Sequence, residues 1–388
     1  MSASPRLQTL SDILRRSAQR LPGKTAVICG DTRWTYAEFD ALVSRLAAGL
    51  ARHGVAQGTR VAVLARNSHG FAAMRFALAR LGAVLVPINF MLKADEVAYI
   101  LRHAGAPFLA TDTDLAPLAR EAALRDTAVE TFIWLPSEES SAPAAGMLNF
   151  DELAACQDPP PKAPLQSTDL LQIVYTSGTE SSPKGAMLTH DAVLWQYVSC
   201  VIDAEIAEHD LALHALPLYH CAQLDVFFGP AAYIGSTNII TANLQRVLGL
   251  DAEGMNRYLI DRIVGPIGMR SFRAEFDEAG TFIGSSYVWA TLRDWCRFGL
   301  LALRGGQWDG TPIVTTDWMD LSRTGRSWED ELLHGAQWWT WDQDQMPFGA
   351  HGFEGQRIIA FPTRDLVVVR FGKTGPDHTT ALNAHLPQ

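Results

Sequence analysis

The chain has 388 residues, 48% of them hydrophobic and 19% charged, with a formal net charge of −10. That length and apolar content support two or three domains with sizeable cores. The acidic balance argues against an electrostatic nucleic-acid or membrane-surface partner, and no run of about 18 apolar residues offers a bilayer span. The opening MSASPRLQTLSDILRR has no apolar core behind its charges, and the cysteines (Cys29, Cys156, Cys200, Cys221, Cys296) lack C-x-x-C spacing. Both features suggest a cytoplasmic protein with buried free thiols.

Residues 9–22 place apolar and charged side chains at helical spacing and stop at Pro22-Gly23. Runs 25–29 and 33–35 are β-prone around a Gly30-Asp31 turn. Thr35 and Glu38 then form a capping box for a helix with Phe39, Leu42, Leu46 and Leu50 on its apolar stripe, ending at Gly54. Strands at 60–65, 84–87 and 108–111 alternate with helices through 71–80 and 94–103. This alternation predicts an α/β region with a doubly wound parallel sheet. Residues 136–166, rich in Pro, Ser and Glu, read as a surface connection with one short helix at 151–155. A strand at 170–175 follows, then a helix at 190–201 and a strand at 211–216 that delivers Pro217-Leu218-Tyr219-His220. A helix at 223–232 and a strand at 233–240 complete this region.

The stretch that carries chemistry is VYTSGTESSPKGAMLTH, residues 174–190. An apolar strand runs into a loop in which Gly178 lets the backbone turn its N–H groups inward. Thr176, Ser177, Thr179, Ser181 and Ser182 supply hydroxyl donors, and Lys184 supplies a point charge suited to phosphate. A solvated turn is the plain alternative. Five hydroxyls, a fixed Pro183 and a lysine directly after a buried-type strand favour polyphosphate binding. No G-x-x-x-x-G-K-[ST] is present, and Lys184 is followed by Gly185, so this is not a Walker loop.

The run resembles the phosphate loop of the adenylate-forming enzymes, the acyl-CoA synthetases and their relatives, which reads [YF]-T-S-G-[TS]-[TE]-[GS]-x-P-K-G. Glu180 and Ser181 stand where Thr and Gly are commoner. WTYAEFDALVSRLAAGL, GAVLVPIN and LPLYH extend the resemblance to about residue 240. It implies ATP with Mg2+, an acyl carboxylate, and CoA as acceptor thiol. Thr176, Ser177, Gly178, Thr179, Glu180, Lys184 and Gly185 would contact the nucleotide, and Tyr219 and His220 would line the acyl pocket. For His220 alone, a satisfied histidine at a strand end is the competing account.

Past Ile240 the pattern breaks. The family's Y-G-x-T-E, its ribose-binding Asp and its lid lysine find no match, and Lys373 is the only lysine after Lys184. Eight of the 11 tryptophans fall at or after Trp289, which suggests a different domain with a different core. From about Asn243 the chain resembles the C-terminal half of the serine β-lactamase-like hydrolases. The matching runs are 244–269, 284–310 and 348–372, the last a hairpin of RIIAFP and DLVVVRF turned at 363–365. This resemblance implies that Tyr287, His351 and Gly352 sit near a hydrolase pocket, with His351-Gly352-Phe353 replacing a K-T-G strand motif. Ser181-Ser182-Pro183-Lys184 fits S-x-x-K formally, but it lies in the phosphate loop and Pro183 suits a helix interior poorly.

The expected organisation is therefore a truncated synthetase-like α/β domain (1–241) joined to a partial α+β, β-lactamase-like domain (242–388). The seam is apolar rather than a polar linker, as in a fusion by deletion. Three functions follow: an impaired AMP-forming ligase for a fatty or other apolar acid, a serine hydrolase without an identified nucleophile, or a non-catalytic remnant. No catalytic residue or metal ligand is assigned. Small molecules are the expected partners, and the acyl chain and oligomeric state are not legible.

Overall fold

The structure, a computed structural model, describes residues 8–138, 142–143, 145–161, 164–176, 183–241, 245, 248–276, 280, 282, 288–323, 332–334, 338–341, 347–352 and 355–372. The chain divides into two compact units, Met1–Leu244 and Gln245–Gln388.

The first unit begins with helix α1 (Leu10–Arg20), whose first turn is closed by Thr9 and Asp12. Strands β1 (Thr25–Cys29) and β2 (Thr32–Thr35) pair antiparallel around Gly30 at φ +54°. Thr35 then starts α2 (Tyr36–Arg52) with the expected capping box. The Thr35 hydroxyl accepts from Glu38 N at 3.2 Å, and the Glu38 carboxylate accepts from Thr35 N at 2.8 Å. The alternation that follows is β3 (Arg60–Leu64), α3 (His69–Leu81), β4 (Val84–Pro87), α4 (Ala94–Ala104) and β5 (Phe108–Thr111). Next come α5 (Ala116–Ala123), β6 (Thr131–Trp134), β7 (Leu148–Asn149), α6 (Phe150–Ala154), β8 (Leu170–Thr176), β9 (Lys184–Thr189) and α7 (His190–Asp203).

These strands form a sheet in the order β7-β6-β5-β3-β4-β8-β9, parallel up to β8, with β9 antiparallel at the edge. Period-two alternation on β3 shows how it is covered. Val61 and Val63 belong to one apolar cluster with Phe39, Val43, Phe71 and Phe76 from α2 and α3. Ala62 and Leu64 belong to another with Val97, Leu101, Ala119 and Ala122 from α4 and α5. Helices thus cover both faces, as a doubly wound parallel sheet requires.

A second, four-stranded sheet has the order β10-β11-β1-β2, with β10 (Leu211–His214) and β11 (Thr237–Ile240) parallel to each other. Between them lie a π-helical segment (Ala222–Phe228) and α8 (Gly229–Ile234). Three sequence expectations shift here. The helix expected at 223–232 begins as wide π-turns, and the strand expected at 233–240 starts only at Thr237, because α8 runs on to Gly235 at φ +97°. The strand expected at 211–216 stops at His214, because the Leu216 carbonyl and N–H are taken by the Asn67 and Gln223 side chains in place of a ladder partner. α5 and β6 were not foreseen. Their Ala-rich and short apolar runs carry little periodic signal.

The second unit contains α9 (Ala252–Leu259), a π-helical turn (Ile260–Val264), α10 (Leu292–Leu303), α11 (Thr316–Arg323) and short strand pairs. Its five-stranded antiparallel meander runs β16 (Leu332–His334), β17 (Trp339–Trp341), β18 (Phe348–His351), β19 (Arg357–Phe361) and β20 (Leu366–Arg370). These five labels follow the short strands β12 (Arg273–Ala274), β13 (Val288–Trp289), β14 (Gln307–Trp308) and β15 (Thr311–Pro312). The foreseen hairpin is β19–β20, with Asp365 in the left-handed region at φ +48°. α10 lies close on it, since a Cβ at Gly299 would meet Val367 Cγ1 at 2.6 Å and Ile358 Cγ2 at 2.8 Å.

The tryptophans do not all build this core. Trp338 is buried against Phe298 and Phe348, whereas Trp289 and Trp318 are 57% and 52% exposed. None of the five cysteines forms a disulfide; Cys29 and Cys156 are buried, Cys200 and Cys296 are half-buried and Cys221 is exposed. Among the described residues no helix is long and apolar enough to cross a membrane.

Candidate functional site

The arms of the proposed phosphate loop are β8 and β9. Their last rungs pair Tyr175 with Gly185 and Thr176 with Lys184, so the loop residues depart and return at the open end of an antiparallel hairpin. Ser177, Gly178, Thr179 and Glu180 lie outside the described residues, as do Ser181, Ser182 and the Thr176 side chain. Lys184 is exposed, and its ammonium has no partner among the described residues. The hairpin end is fixed from α4. The Tyr99 hydroxyl donates to the Pro183 carbonyl at 3.1 Å, and the Tyr175 hydroxyl meets His103 Nδ1 at 2.7 Å. Partial burial raises the Tyr175 pKa, so its hydroxyl stays neutral. Gly185 is needed for closeness rather than for an unusual φ. A Cβ there would meet Ile173 Cγ2 at 2.8 Å and the Tyr175 ring at 3.2 Å.

Tyr219 and His220 lie in the turn between β10 and the π-helical segment. Tyr219 is half-buried, edge-on to Phe90 with centroids 5.1 Å apart, and burial raises its pKa. His220 is exposed, and its Nδ1 accepts from Ala222 N at 3.1 Å, closing the start of the π-helical segment. That leaves Nε2 as the ring atom facing outward chemistry.

Three polar features near these segments were missed by sequence reasoning. Asn67, buried just after β3, donates to the carbonyls of Leu216 (2.7 Å) and Thr241 (3.0 Å) and accepts from Leu218 N at 2.7 Å. It therefore clamps the Pro217–His220 turn to the ends of β10 and β11. His214 is buried beneath that turn. Its Nε2 meets Asn238 Oδ1 at 2.9 Å and its Nδ1 meets the Gln223 amide nitrogen at 2.7 Å, while Gln223 Oε1 accepts from Leu216 N at 3.1 Å. Burial pulls the His214 pKa down to about 4, so the ring is neutral. The third feature is a buried cluster of Arg75, Gln172, Tyr197 and Asp225. A charge inside the apolar run FAAMRFALA was the one visible hint of it.

A cavity of about 580 Å³ lies instead beside β7, between α2 and α6, lined by Gly49, Arg52, Glu152 and Asp158 among others. β7 is the sheet edge opposite β8–β9, so this cavity lies away from the hairpin end.

In the second unit, Tyr287 lies outside the described residues. His351 ends β18 opposite Arg357, with its ring stacked on Trp339 at 5.9 Å, and burial lowers its pKa to about 4. Gly352 N donates to the Gln356 carbonyl at 2.9 Å, so this Gly closes a turn. Among the described residues no group of three His, Cys, Asp or Glu side chains converges as a metal site.

Comparisons with known proteins bear on the first unit above all. The sequence profile of the AMP-binding enzyme family matches residues 14–258. A feruloyl-CoA synthase from Amycolatopsis sp. is 36% identical over 228 residues, covering 58% of this chain and 42% of that protein. The chain thus spans less than half the length of that relative. Among solved structures, a putative long-chain-fatty-acid CoA ligase from Rhodopseudomonas palustris superposes with a TM-score of 0.57 at 28% identity, over 66% of this chain and 62% of that one. The O-succinylbenzoate coenzyme A synthetase of Bacillus subtilis, solved with ATP and magnesium ion, superposes with a TM-score of 0.51 at 26% identity, over 64% and 61%. The profile covers more than half of the chain and the α/β fold of the first unit agrees with it, so the chain belongs to the AMP-binding enzyme family.

Proposed function

We propose that residues 1–241 bind MgATP and an apolar carboxylate and carry out the adenylating half of an AMP-forming CoA ligase reaction. A carboxylate oxygen attacks the α-phosphorus, the bond from that phosphorus to the pyrophosphate oxygen breaks, and acyl-adenylate and pyrophosphate result. CoA is the acceptor of the acyl group. The observation that carries this reading is the hairpin end, where Thr176 pairs with Lys184, exposed and without a partner among the described residues, at the mouth of a hydroxyl- and glycine-rich loop. Loop N–H groups, with Thr176, Ser177, Gly178, Thr179, Glu180 and Gly185, are assigned to the phosphates, and Lys184 to the charge that develops on the leaving pyrophosphate. Magnesium enters with the nucleotide as its counter-ion, which suits a site without a carboxylate cluster among the described residues. Tyr219 and His220 are assigned to the acyl side.

The second unit is read as a serine β-lactamase-like remnant, supported by its antiparallel meander with α10 packed on β19 and β20. The contact boundary at Leu244–Gln245 lies near the seam expected from sequence, although the family match runs on to residue 258. Residues 242–388 hold no Y-G-x-T-E and no lysine but Lys373. Each such charge-stabilising group is worth about 3 kcal/mol of transition-state binding, so on this reading residues 1–388 by themselves adenylate slowly or not at all.

Calorimetry with MgATP tests the loop, and pyrophosphate release with fatty acids, ferulate and indoleacetate tests the reaction. Lys184→Ala should weaken MgATP binding by about tenfold or more, the scale of one charge-assisted contact. Equal affinity in the variant and the parent would sink the assignment. ATP-independent cleavage of a p-nitrophenyl ester would favour the hydrolase instead.

A further inference from the structure

The Arg75 guanidinium on α3 is fully enclosed. Its NH1 donates to Gln172 Oε1 at 2.6 Å, and its NH2 donates to Asp225 Oδ1 at 2.5 Å and to the Tyr197 hydroxyl at 2.9 Å. Gln172 Nε2 closes the ring by donating to Asp225 Oδ2 at 2.6 Å, and the Tyr197 hydroxyl donates to Asp225 Oδ1 at 3.2 Å. Gln172, Tyr197 and Asp225 are buried as well. Apolar residues of similar volume often stabilise a core as well as a buried ion pair does, so stability alone does not account for this one. What a planar, five-donor fork supplies is fixed geometry among the groups that meet it.

The groups that meet here lead to the two halves of the site. Gln172 lies on β8, the strand that ends at Thr176 and launches the phosphate loop. Asp225 lies in the π-helical segment that follows Tyr219 and His220. Tyr197 on α7 presses on Gly229, where a Cβ would come within 2.0 Å of the tyrosine ring, and so holds the far end of the same segment. π-turns concentrate at functional sites, and seven residues of them here leave a segment with poorer internal bonding that relies on outside anchors.

We propose that Arg75 is a positioning residue that locks the strand leading into the phosphate loop to the helical segment that directly follows Tyr219 and His220. It thereby holds the nucleotide and carboxylate subsites at a fixed separation without touching either substrate. This rests on the functional assignment of those two segments and adds to it the element that sets their spacing. Attack on the α-phosphorus needs reacting atoms about 3–3.5 Å apart, so even a small change in that spacing is felt in catalysis.

The test uses the full chain. Gln172→Met keeps the volume and the Arg75–Asp225 ion pair but removes both amide links to β8. Tyr197→Phe removes a hydroxyl from the same guanidinium and leaves β8 attached. The first readout needs no ligand. Amide hydrogen exchange in Gln172→Met should rise about tenfold or more in both 170–176 and 222–228, with α4 and β5 unchanged. A rise confined to 170–176, or a uniform rise across the unit, would overturn the proposal. Tyr197→Phe should leave 170–176 protected, and loss of protection there would also count against it.

The second readout compares MgATP with a non-hydrolysable acyl-sulfamoyl adenosine that spans both subsites. In Gln172→Met the analogue should lose about tenfold or more in affinity while MgATP stays within about twofold. Equal loss of both, or loss of neither, means a merely structural role. A parent chain that binds neither ligand would sink the proposed function, and the exchange result would still decide whether Arg75 locks the two segments.

Discussion

Histidine burial sets how the first unit answers to acid. His190 has its Nδ1 committed as acceptor to Leu10 N at 3.0 Å, at the start of α1, and His214 is wedged between Asn238 and Gln223. Burial lowers both from 6.5 to about 4, and His69 likewise. The unfolded chain takes up protons at these rings below about pH 6.5, the folded chain only near 4. Their stabilisation is therefore complete above about 6.5 and is lost as pH falls through that window, by roughly a few kcal/mol for each ring at most. Urea midpoints at pH 7.5 and 4.5 should differ in that sense. His214→Gln, which keeps a donor and an acceptor, should flatten the dependence by about one proton. A slope unchanged in the variant would refute the role of that ring. At this scale the sequence showed what is local. Thr35 and Glu38 could be paired on paper because the capping box repeats at fixed spacing. Arg75 could not, since its partners lie 97, 122 and 150 residues away.

Elements were legible where period and punctuation agreed, as in α2, α4 and the β19–β20 hairpin. They were not where a tertiary contact chose the conformation, as at the end of β10 and in the π-turns. Gly49, in the last turn of α2, shows the same conflict. Helix propensity alone makes Gly→Ala favourable by about 1 kcal/mol. Packing decides otherwise, because a Cβ at Gly49 would stand 2.3 Å from the backbone carbonyl oxygen of Leu153 in α6, which has no rotamer to yield. Gly49→Ala should therefore destabilise by about 1–3 kcal/mol, read from the urea midpoint. Stabilisation would mean that α6 is free to move off α2. The cavity beside that contact should open in the same variant.

For the molecule as a whole, composition suggested a change of character near residue 241; the chain divides into two compact units at Leu244–Gln245, while the family match runs on to residue 258. Each has apolar clusters of its own. Eight of 11 tryptophans belong to the second, while the long helices and the large parallel sheet belong to the first. Tryptophan fluorescence and far-ultraviolet circular dichroism should then report different units, and their urea transitions should not coincide. One shared midpoint would show that the units fold as a single cooperative body. What composition did not reveal is that two of those tryptophans, Trp289 and Trp318, sit at the surface.

The hairpin of β8 and β9 carries a further consequence. Its register is set by rungs from Leu170↔Thr189 up to Thr176↔Lys184, all on the strand side of the loop. The number of residues between Thr176 and Lys184 can therefore change without moving a single rung, at an entropic cost of about 0.6 kcal/mol per doubling of length. The recognition stretch is in effect a cassette: its donors can be exchanged, by evolution or by grafting, while the sheet that presents them goes on folding as before.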